Sequence, residues 1–435
     1  MAGEWVDKAV GDIADVVGGS TPSTRDPANF DGDVPWLTPK DLSSPHSRYV
    51  KRGERNLSSK GFESCSAQLL PANSVLLSSR APIGYLAIAA NPIATNQGFR
   101  SLIVRPAYDH EFLYYWLSGN IEELERHSSG STFKELSGTA LKQIRLRLPV
   151  DRDEQRAIAR ILGTLDNKIE LNRRMNATLE AMARALFQSW FVDFDPVRAK
   201  LDGRPPAALD PATAALFPDS FQDSPLGHIP TGWEVCPLSE KIQLLSGGTP
   251  KTSEPTYWDG DIPWYSVRDA PSETDVWVIH TDKHVTKLGI ANSAAQVFPE
   301  KTTIISARGT VGKLALTAVP MAMNQSCYGV RGITGYGDYF TYYSLREATA
   351  QLQQRTHGTV FDTITTETFK TLECIFPTPK ITAAFDKLVE PLLGQIRANL
   401  HQSRTLAILR DTLLPKLLSG EICLQIMKPN EGESR

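Results

Sequence analysis

Two long segments carry apolar residues at alternating steps of three and four, the heptad pattern of a coiled-coil seam. The first seam runs from Ile158 to Trp190, inside a stretch, 151–191, that has no proline and one glycine. The second runs from Phe385 to Leu417. We expect two long helices that bury their seams against each other, and we expect Pro391 and Pro415 to bend or weaken the second one.

Polar residues interrupt both seams near their midpoints. If the helices are antiparallel, Asn172 lies level with Ser403 and Asn176 with Asn399, and this buried polar layer would fix the register. A parallel pairing would also match asparagine with asparagine. It would place both flanking globules at one end, however, and the connecting segment would have to run back along the helices, so we expect the antiparallel pair.

The segments before each helix are copies of each other. Identical residues recur at a constant offset of 228 over some 145 positions, and they include Gly19, Thr21, Pro22, Asp31, Gly32, Trp36, Arg80, Gly84, Asn96, Gln97, Tyr115 and Phe133. The helical seams are displaced by 227, so one residue is lost where the second globule ends. Chance does not produce such a register, and we predict one fold present twice.

Each copy consists of short apolar stretches separated by turn residues, which is typical of strands. One helix per copy is expected at 111–126 and at 339–355. The fold class is therefore predicted to be α+β, with two tandem globular domains joined by two long antiparallel coiled-coil helices in pseudo-twofold symmetry. The predicted segments are the first domain (1–150), central helix (151–192), irregular linker (193–232), second domain (233–378), distal helix (379–420) and tail (421–435).

Such symmetry matches the backbone of duplex DNA. At about 1.5 Å per residue the first seam spans on the order of 50 Å, or about one and a half turns of B-DNA. The helices would then act as a ruler between two half-sites, which should differ in sequence because the copies differ. The formal net charge of −3 argues against a DNA reader. A cluster of basic residues at 48–60 and the matching 280–287 partly offset it.

Other classes find little support. No apolar run is long enough for a membrane span and the start has no signal peptide, so a cytoplasmic location is expected. Five scattered cysteines suit neither a disulfide framework nor a zinc site. The Asn91-Pro-Ile-Ala stretch lacks the second proline and aromatic of an adenine methyltransferase motif, and Gly309-Thr-Val-Gly-Lys lacks phosphate-loop spacing. His280 and His284 have no third ligand, so no metal is expected.

Several motifs resemble the specificity subunit (HsdS) of type I restriction-modification systems over nearly the whole chain. They are Gly18-Gly-Ser-Thr-Pro-Ser, Leu76-Leu-Ser-Ser-Arg-Ala-Pro-Ile-Gly, Asn96-Gln-Gly-Phe, Gly130-Ser-Thr-Phe, Ile169-Glu-Leu-Asn-Arg-Arg-Met-Asn, Trp190-Phe-Val-Asp-Phe-Asp-Pro-Val and Leu409-Arg-Asp-Thr-Leu-Leu-Pro-Lys. The resemblance implies two target-recognition domains that read a bipartite, asymmetric site on double-stranded DNA. It also implies helices that dock two methyltransferase (modification) subunits, with restriction translocase subunits joining that core.

The resemblance further implies that this subunit is not catalytic. S-adenosylmethionine, ATP and magnesium would be bound by the partner subunits, and no cofactor is expected on this chain. Two rival classes are a coiled-coil interaction scaffold that ignores DNA and a single-chain restriction or modification enzyme, for which the motifs are missing. The duplication excludes a third, a reader that works as a half-size homodimer.

The repeat also sorts the candidate DNA contacts. Positions identical in both copies cannot by themselves distinguish two half-sites, so they are scaffold or phosphate contacts, and for the arginines a structural salt bridge is an equal alternative. These are Thr21 and Thr249, Arg80 and Arg308, Asn96 and Asn324, and Gln97 and Gln325. Base readers are expected at polar positions that differ: Ser47, Arg48, Tyr49, Lys51 and Arg52 against Asp275, Trp277, His280 and Lys283, and Lys134 against Asp362. Lys251 is a further candidate.

Overall fold

A five-stranded sheet forms the centre of each copy. The computed structural model describes residues 4–43, 47–130, 134–333, 335–355, 363–422 and 424. By their internal contacts the residues divide into unit 1, Met1–Glu170 with Arg404–Arg435, and unit 2, Leu171–Ser403. Each unit therefore contains one copy together with one end of each long helix.

The described elements before the second copy are as follows. The strands are β1 Trp5–Ala9, β2 Ala14–Gly18, β3 Phe30–Val34, β4 Trp36–Leu37, β5 Tyr49–Val50, β6 Val75–Ser79, β7 Ile83–Ala89, β8 Ala94–Thr95, β9 Arg100–Val104, β10 Arg145–Pro149, β11 Phe221–Ser224 and β12 Gly227–Pro230. The helices are α1 Val10–Ile13, α2 Ser59–Glu63, α3 His110–Gly119, α4 Ile121–Arg126, α5 Gly138–Gln143, α6 Arg152–Phe191, α7 Asp195–Leu201 and α8 Pro211–Ala215.

The second copy and the distal helix follow. The strands are β13 Glu234–Pro237, β14 Ile242–Ser246, β15 Trp258–Tyr265, β16 Trp277–Val278, β17 Lys283–Val285, β18 Thr303–Ser306, β19 Leu314–Thr317, β20 Ala322–Met323, β21 Cys327–Gly332 and β22 Glu373–Phe376. The helices are α9 Lys287–Ala291, α10 Asp338–Arg355, α11 Thr366–Thr371 and α12 Pro379–Leu418.

The sheets confirm that one fold is present twice. The strand order is β2-β9-β6-β7-β5 in the first copy and β14-β21-β18-β19-β16 in the second, and these strands match one for one. In both copies the last pair is parallel and the first strand pairs with the last, β1 with β10 and β13 with β22. The mixed strand and helix content predicted for each copy is therefore correct.

The match extends to unusual backbone positions. Asp31 and Asp259 both have positive φ, 61° and 58°. A Cβ added to Gly19 would lie 2.1 Å from the carbonyl oxygen of Asn96, and one added to Gly247 would lie 1.9 Å from that of Asn324. Glycine is required at both sites because no side chain fits so close to another backbone.

The two long helices are antiparallel within each unit. In unit 1 the Arg410 guanidinium donates to Asp166 at 2.7 Å. In unit 2 the rings of Trp190 and Phe385 lie 6.0 Å apart, near the end of α6 and the start of α12. Residues that follow one another along α6 thus meet residues of decreasing number on α12, as the seams predict.

Unit 2 contains the polar layer. Asn172 Nδ2 donates to Ser403 Oγ at 3.1 Å and to Gln402 Oε1 at 2.9 Å, and Asn399 Nδ2 donates to Asn176 Oδ1 at 3.0 Å. The three asparagine side chains are buried. Asn172 thus meets Ser403 and Asn176 meets Asn399, the pairing that an antiparallel register requires, and a one-heptad slip would leave these amides without partners.

Two expectations about local structure need correction. The linker 193–232 is not irregular, because it forms α7, α8 and the β11–β12 hairpin, and its Phe194, Val197, Phe217 and Ile229 are buried in the core of unit 2. The helix expected at 111–126 is interrupted at Asn120, where the second copy has alanine. Helix α12 is one helix through both of its internal prolines, and the expectation that they bend or weaken it stays a prediction. No helix among the described residues is long and apolar enough to cross a membrane.

Candidate nucleic-acid interface

The same turn presents an arginine at the surface of each unit. In unit 1, Ser78 Oγ donates to the carbonyl of Pro82 and accepts from the N–H of Tyr85, both at 2.8 Å. In unit 2, Ser306 makes the matching bonds to Thr310 and Lys313. These serine hydroxyls hold the turns that carry Arg80 and Arg308, so the two arginines lie on turns of the same construction, one in each unit.

Clefts flank this turn in both units. In unit 1 the cleft is about 630 Å³ in volume, and Arg80, Pro82, Glu125, Lys134 and Glu135 line it. In unit 2 the cleft is about 710 Å³, and its lining includes Arg268, Lys283, Arg308, Asn324 and Thr310. The structure thus gathers Lys283, Arg308 and Asn324, which lie far apart in the sequence, around one open space.

A shared capping structure holds the backbone next to another basic position in each copy. Asp41 accepts the backbone N–H groups of Thr38 and Glu54, both at 2.7 Å. Asp269 accepts those of Ser266 at 2.7 Å and Asp282 at 2.8 Å. Both aspartates thus hold the backbone. The residues just before them, Lys40 and Arg268, are exposed to solvent.

A cation lies over an aromatic ring at matched positions. The Arg55 guanidinium carbon is 4.0 Å from the centre of the Phe30 ring, and Lys283 Nζ is 5.5 Å from that of Trp258. Such contacts orient a cation without neutralising it, because the ring carries no net charge. The ring contact therefore leaves both charges in place, although Arg55 also pairs with Asp31 at 3.1 Å.

The polar residues that are identical in both copies mainly hold loops. Asn96 Oδ1 accepts the N–H of Gly98 at 2.9 Å, and Asn324 Oδ1 accepts that of Ser326 at 3.1 Å. Thr21 donates to Gln97 Oε1, and Thr249 donates to Gln325 Oε1. Gln97 and Gln325 are exposed, so their amide N–H groups can still reach a ligand.

Comparisons with known proteins agree with this duplicated architecture. The family model described as type I restriction modification DNA specificity domain matches residues 2–181 and 230–400. This chain belongs to that family. It is 33% identical over 425 residues to the type I restriction enzyme MjaIX specificity subunit of Methanocaldococcus jannaschii, an alignment that covers 96% of this chain and 94% of the relative.

Other members support the same assignment. The HindI specificity subunit of Haemophilus influenzae is 29% identical over 72% of this chain and 77% of its own length. The S subunit of the type I restriction-modification system from M. genitalium shares the fold, with a TM-score of 0.58, 16% identity and coverage of 98% and 97% of the two chains. The chain is thus a specificity subunit of a type I restriction-modification system, with a role in DNA specificity and in partnership with the other subunits of such systems.

The structure corrects the prediction for Arg48 in this specificity subunit. Its side chain is only 9% exposed and its Nη2 lies 3.1 Å from the Glu111 carboxylate. It also donates to the Tyr115 hydroxyl and, at 3.3 Å, to Asn167 of α6. A base cannot reach this guanidinium without opening the packing, so Arg48 is an internal anchor and not a base reader.

The anchor extends to both long helices. Tyr115 donates to Asp166 at 2.6 Å, and Asp166 also accepts from Arg410 of α12. Burial raises the pKa of Tyr115 far above its ordinary value, so the phenol keeps its proton. A Cβ on Gly163 would lie 2.7 Å from Arg48 Nη1, which explains the single glycine of α6.

The prediction for Trp277 is wrong for the same reason. Its ring is buried, and its indole N–H donates to the carbonyl of Leu393 on α12 at 2.8 Å. The matching residue Tyr49 is half-buried and donates to Glu111 at 2.7 Å. Asp275 accepts from Asn176 at 3.0 Å. These side chains therefore pack inside their own unit, Tyr49 against α3 and Asp275 and Trp277 against α6 and α12.

The other predicted base readers stay candidates. Lys51, Arg52, Lys134, Lys251 and His280 are exposed, and Ser47 is half-buried. Asp362 lies outside the described residues. Sequence reasoning missed Lys40 and Arg268 and did not select Arg55. The signal was available, because in each case the position 228 residues away is also basic.

Proposed function

We propose that this subunit reads a bipartite, asymmetric site on double-stranded DNA, with one half-site contacted by each copy. The observation that carries the proposal is the repeat: two copies share backbone, turns and arginine-bearing loops but differ in the residues around their clefts. A common scaffold gives both copies the same approach to the phosphate backbone. Different surfaces then select different bases.

We propose that α6 and α12 set the spacing between the half-sites. The polar layer supports this, because a register held by buried hydrogen bonds makes the helix pair a defined length rather than a sliding one. Removing one heptad from each helix, about 10 Å, should shorten the tolerated spacer by about three base pairs and leave both half-sites unchanged. An unchanged spacer would rule out this role.

The helices also offer surface for the modification subunits. Leu171 and Met182 on α6 are 48% and 49% exposed, and Ile408 and Leu409 on α12 are 59% and 44% exposed. Apolar side chains at such exposure on otherwise paired helices are typical of a protein interface. We propose that two methyltransferase subunits dock there and that restriction subunits join the assembly, in the cytoplasm where the chromosome lies.

In this proposal the chain itself is not catalytic. S-adenosylmethionine would bind to the modification subunits, and ATP and magnesium to the restriction subunits. A coiled-coil scaffold without DNA affinity is the alternative. Its weakness is that it assigns no task to the basic residues that line a cleft beside Arg80 in unit 1 and beside Arg308 in unit 2.

The deciding experiment is methylome sequencing of a host that carries this subunit with its modification subunit. We expect one methylated motif made of two different half-sites separated by a fixed spacer. Exchange of the second copy for that of a relative should change one half-site only. Absence of any methylated motif, with the assembled complex shown to be folded and to bind S-adenosylmethionine, would favour the scaffold.

A further inference from the structure

Three basic positions are shared by the two copies but differ in their ionic surroundings. They are Lys40, Arg55 and Arg80 in unit 1 and Arg268, Lys283 and Arg308 in unit 2, each pair 228 residues apart. All three in unit 2 line one cleft, which Asp282 also lines without coming within ion-pair distance of any of them. Because both copies have a cation at each position, the three positions cannot distinguish half-sites, and the ligand group they suit is the phosphate common to all DNA.

In unit 1 a carboxylate lies next to each of the three cations. Lys40 lies 3.0 Å from Glu54, Arg55 lies 3.1 Å from Asp31, and Arg80 lies 3.6 Å from Glu135, a carboxylate that it shares with Arg100 at 2.9 Å. A cation paired in this way attracts a phosphate weakly, because the adjacent carboxylate repels the same phosphate.

In unit 2 none of the three cations has an ion-pair partner among the described residues. The sequence explains each loss. Glu54 is replaced by the shorter Asp282, and Glu135 by the uncharged Thr363. Asp259 matches Asp31, but its partner has changed from the forked guanidinium of arginine, which can bond a carboxylate through two N–H groups, to the single ammonium group of lysine.

We propose that the second copy contributes most of the electrostatic part of the affinity for DNA, through phosphate contacts of Arg268, Lys283 and Arg308. The first copy contributes less to this affinity. The inference rests on the proposed DNA-reading function and deepens it by assigning a ligand group to named residues. Its consequence is an asymmetric complex, in which salt weakens the hold of the second copy more than that of the first.

The chain supplies its own matched control for the test. The triple variant Arg268→Gln, Lys283→Gln, Arg308→Gln is compared with Lys40→Gln, Arg55→Gln, Arg80→Gln, each in the full chain assembled with its modification subunits. Binding to random-sequence and to site-containing duplex is measured by fluorescence anisotropy from 50 to 200 mM salt. The charge-preserving variant Arg268→Lys, Lys283→Arg, Arg308→Lys controls for loss of folding, because it keeps the cations and should keep wild-type salt dependence.

Each phosphate contact contributes about 0.9 to the slope of log affinity against log salt. The slope of the unit 2 variant should therefore be smaller than that of the wild type by about 2.7. Between 50 and 200 mM salt, the factor by which the affinity of this variant decreases should be about 40 times smaller than the factor for the wild type. The unit 1 variant should reduce the slope by less than about 1. The ratio of specific to random-sequence affinity should not change in either variant.

Two results would overturn the inference. One is an equal reduction of the slope in both variants. The other is a loss of discrimination at one half-site without a change of slope, which would make these residues base readers. Failure of the proposed function would give a different result. The wild type would then bind site-containing and random duplexes equally, and the salt dependence on random duplex would still test the phosphate contacts of the three cations.

Discussion

Replacement of Arg48 by methionine separates the two roles that sequence and structure assign to this residue. Methionine keeps much of the length of the side chain and removes its charge. As a base reader Arg48 would be needed for DNA binding and not for folding. As the anchor seen in unit 1, it would be needed for stability, because Glu111 and the Tyr115–Asp166 pair would lose a buried partner.

The structure sets the expected size of the effect. The Arg48 side chain is 9% exposed and that of Glu111 is 23% exposed, so their 3.1 Å pair is largely removed from water. Breaking a buried pair by removing one partner costs about 3 to 5 kcal/mol, because the other charge stays behind. Partial exposure of Glu111 favours the lower end, and we expect a loss of about 3 kcal/mol.

Hydrogen exchange during urea titration measures this loss in the full chain, because peptides of α3 and β5 report on unit 1 alone. Arg52→Met is the matched control, since Arg52 is exposed in the same segment, and it should change stability by less than about 0.5 kcal/mol. Adding Glu111→Gln to Arg48→Met should restore part of the loss. Unchanged protection in Arg48→Met, together with weaker DNA binding, would refute the anchor and restore the base reader.

Three further predictions test other contacts. Trp277→Ala should destabilise unit 2 by about 4 kcal/mol, and Trp277→Phe, which loses mainly the hydrogen bond to Leu393, by about 1 to 2 kcal/mol in the same assay. Asn399→Ala should cost about 2 kcal/mol in urea melts because it leaves the buried Asn176 Oδ1 without its donor, and an unchanged melt would contradict a stabilising polar layer. Burial raises the pKa of Asp386 from 3.8 to about 6, so the folded state holds this proton more tightly than the unfolded state and stability falls as pH rises from about 4 to 6. Asp386→Asn should flatten that fall in urea melts at pH 4 to 7.

The architecture was predictable because it rests on periodic information. The heptad seams define the helices and the 228-residue offset defines the copies, and each signal is repeated many times along the chain. The linker was not predictable in this way. Phe194, Val197, Phe217 and Ile229 are too widely spaced to form a pattern, and their burial depends on the core that the second copy and the helices build around them.

The candidate site was predictable only in part. Identical positions such as Arg80 and Arg308 are on matching turns, because identity at a fixed offset reports a shared backbone. Whether a given cation forms an ion pair could not be predicted from its own position in the sequence. Whether a cation is neutralised depends on one methylene, as between Glu54 and Asp282, and on which chain segments the fold brings together.

A difference between the two copies therefore has two possible causes. Arg48 of the first copy bonds to Asn167 of α6, and Trp277 of the second bonds to the Leu393 carbonyl of α12, so contacts inside each unit constrain both residues. Differences at such buried positions can therefore reflect packing rather than DNA. Only differences at exposed positions, such as Arg52 against His280, can reflect contact with DNA. When base readers are sought in a duplicated recognition protein, buried positions must therefore be set aside before the two copies are compared.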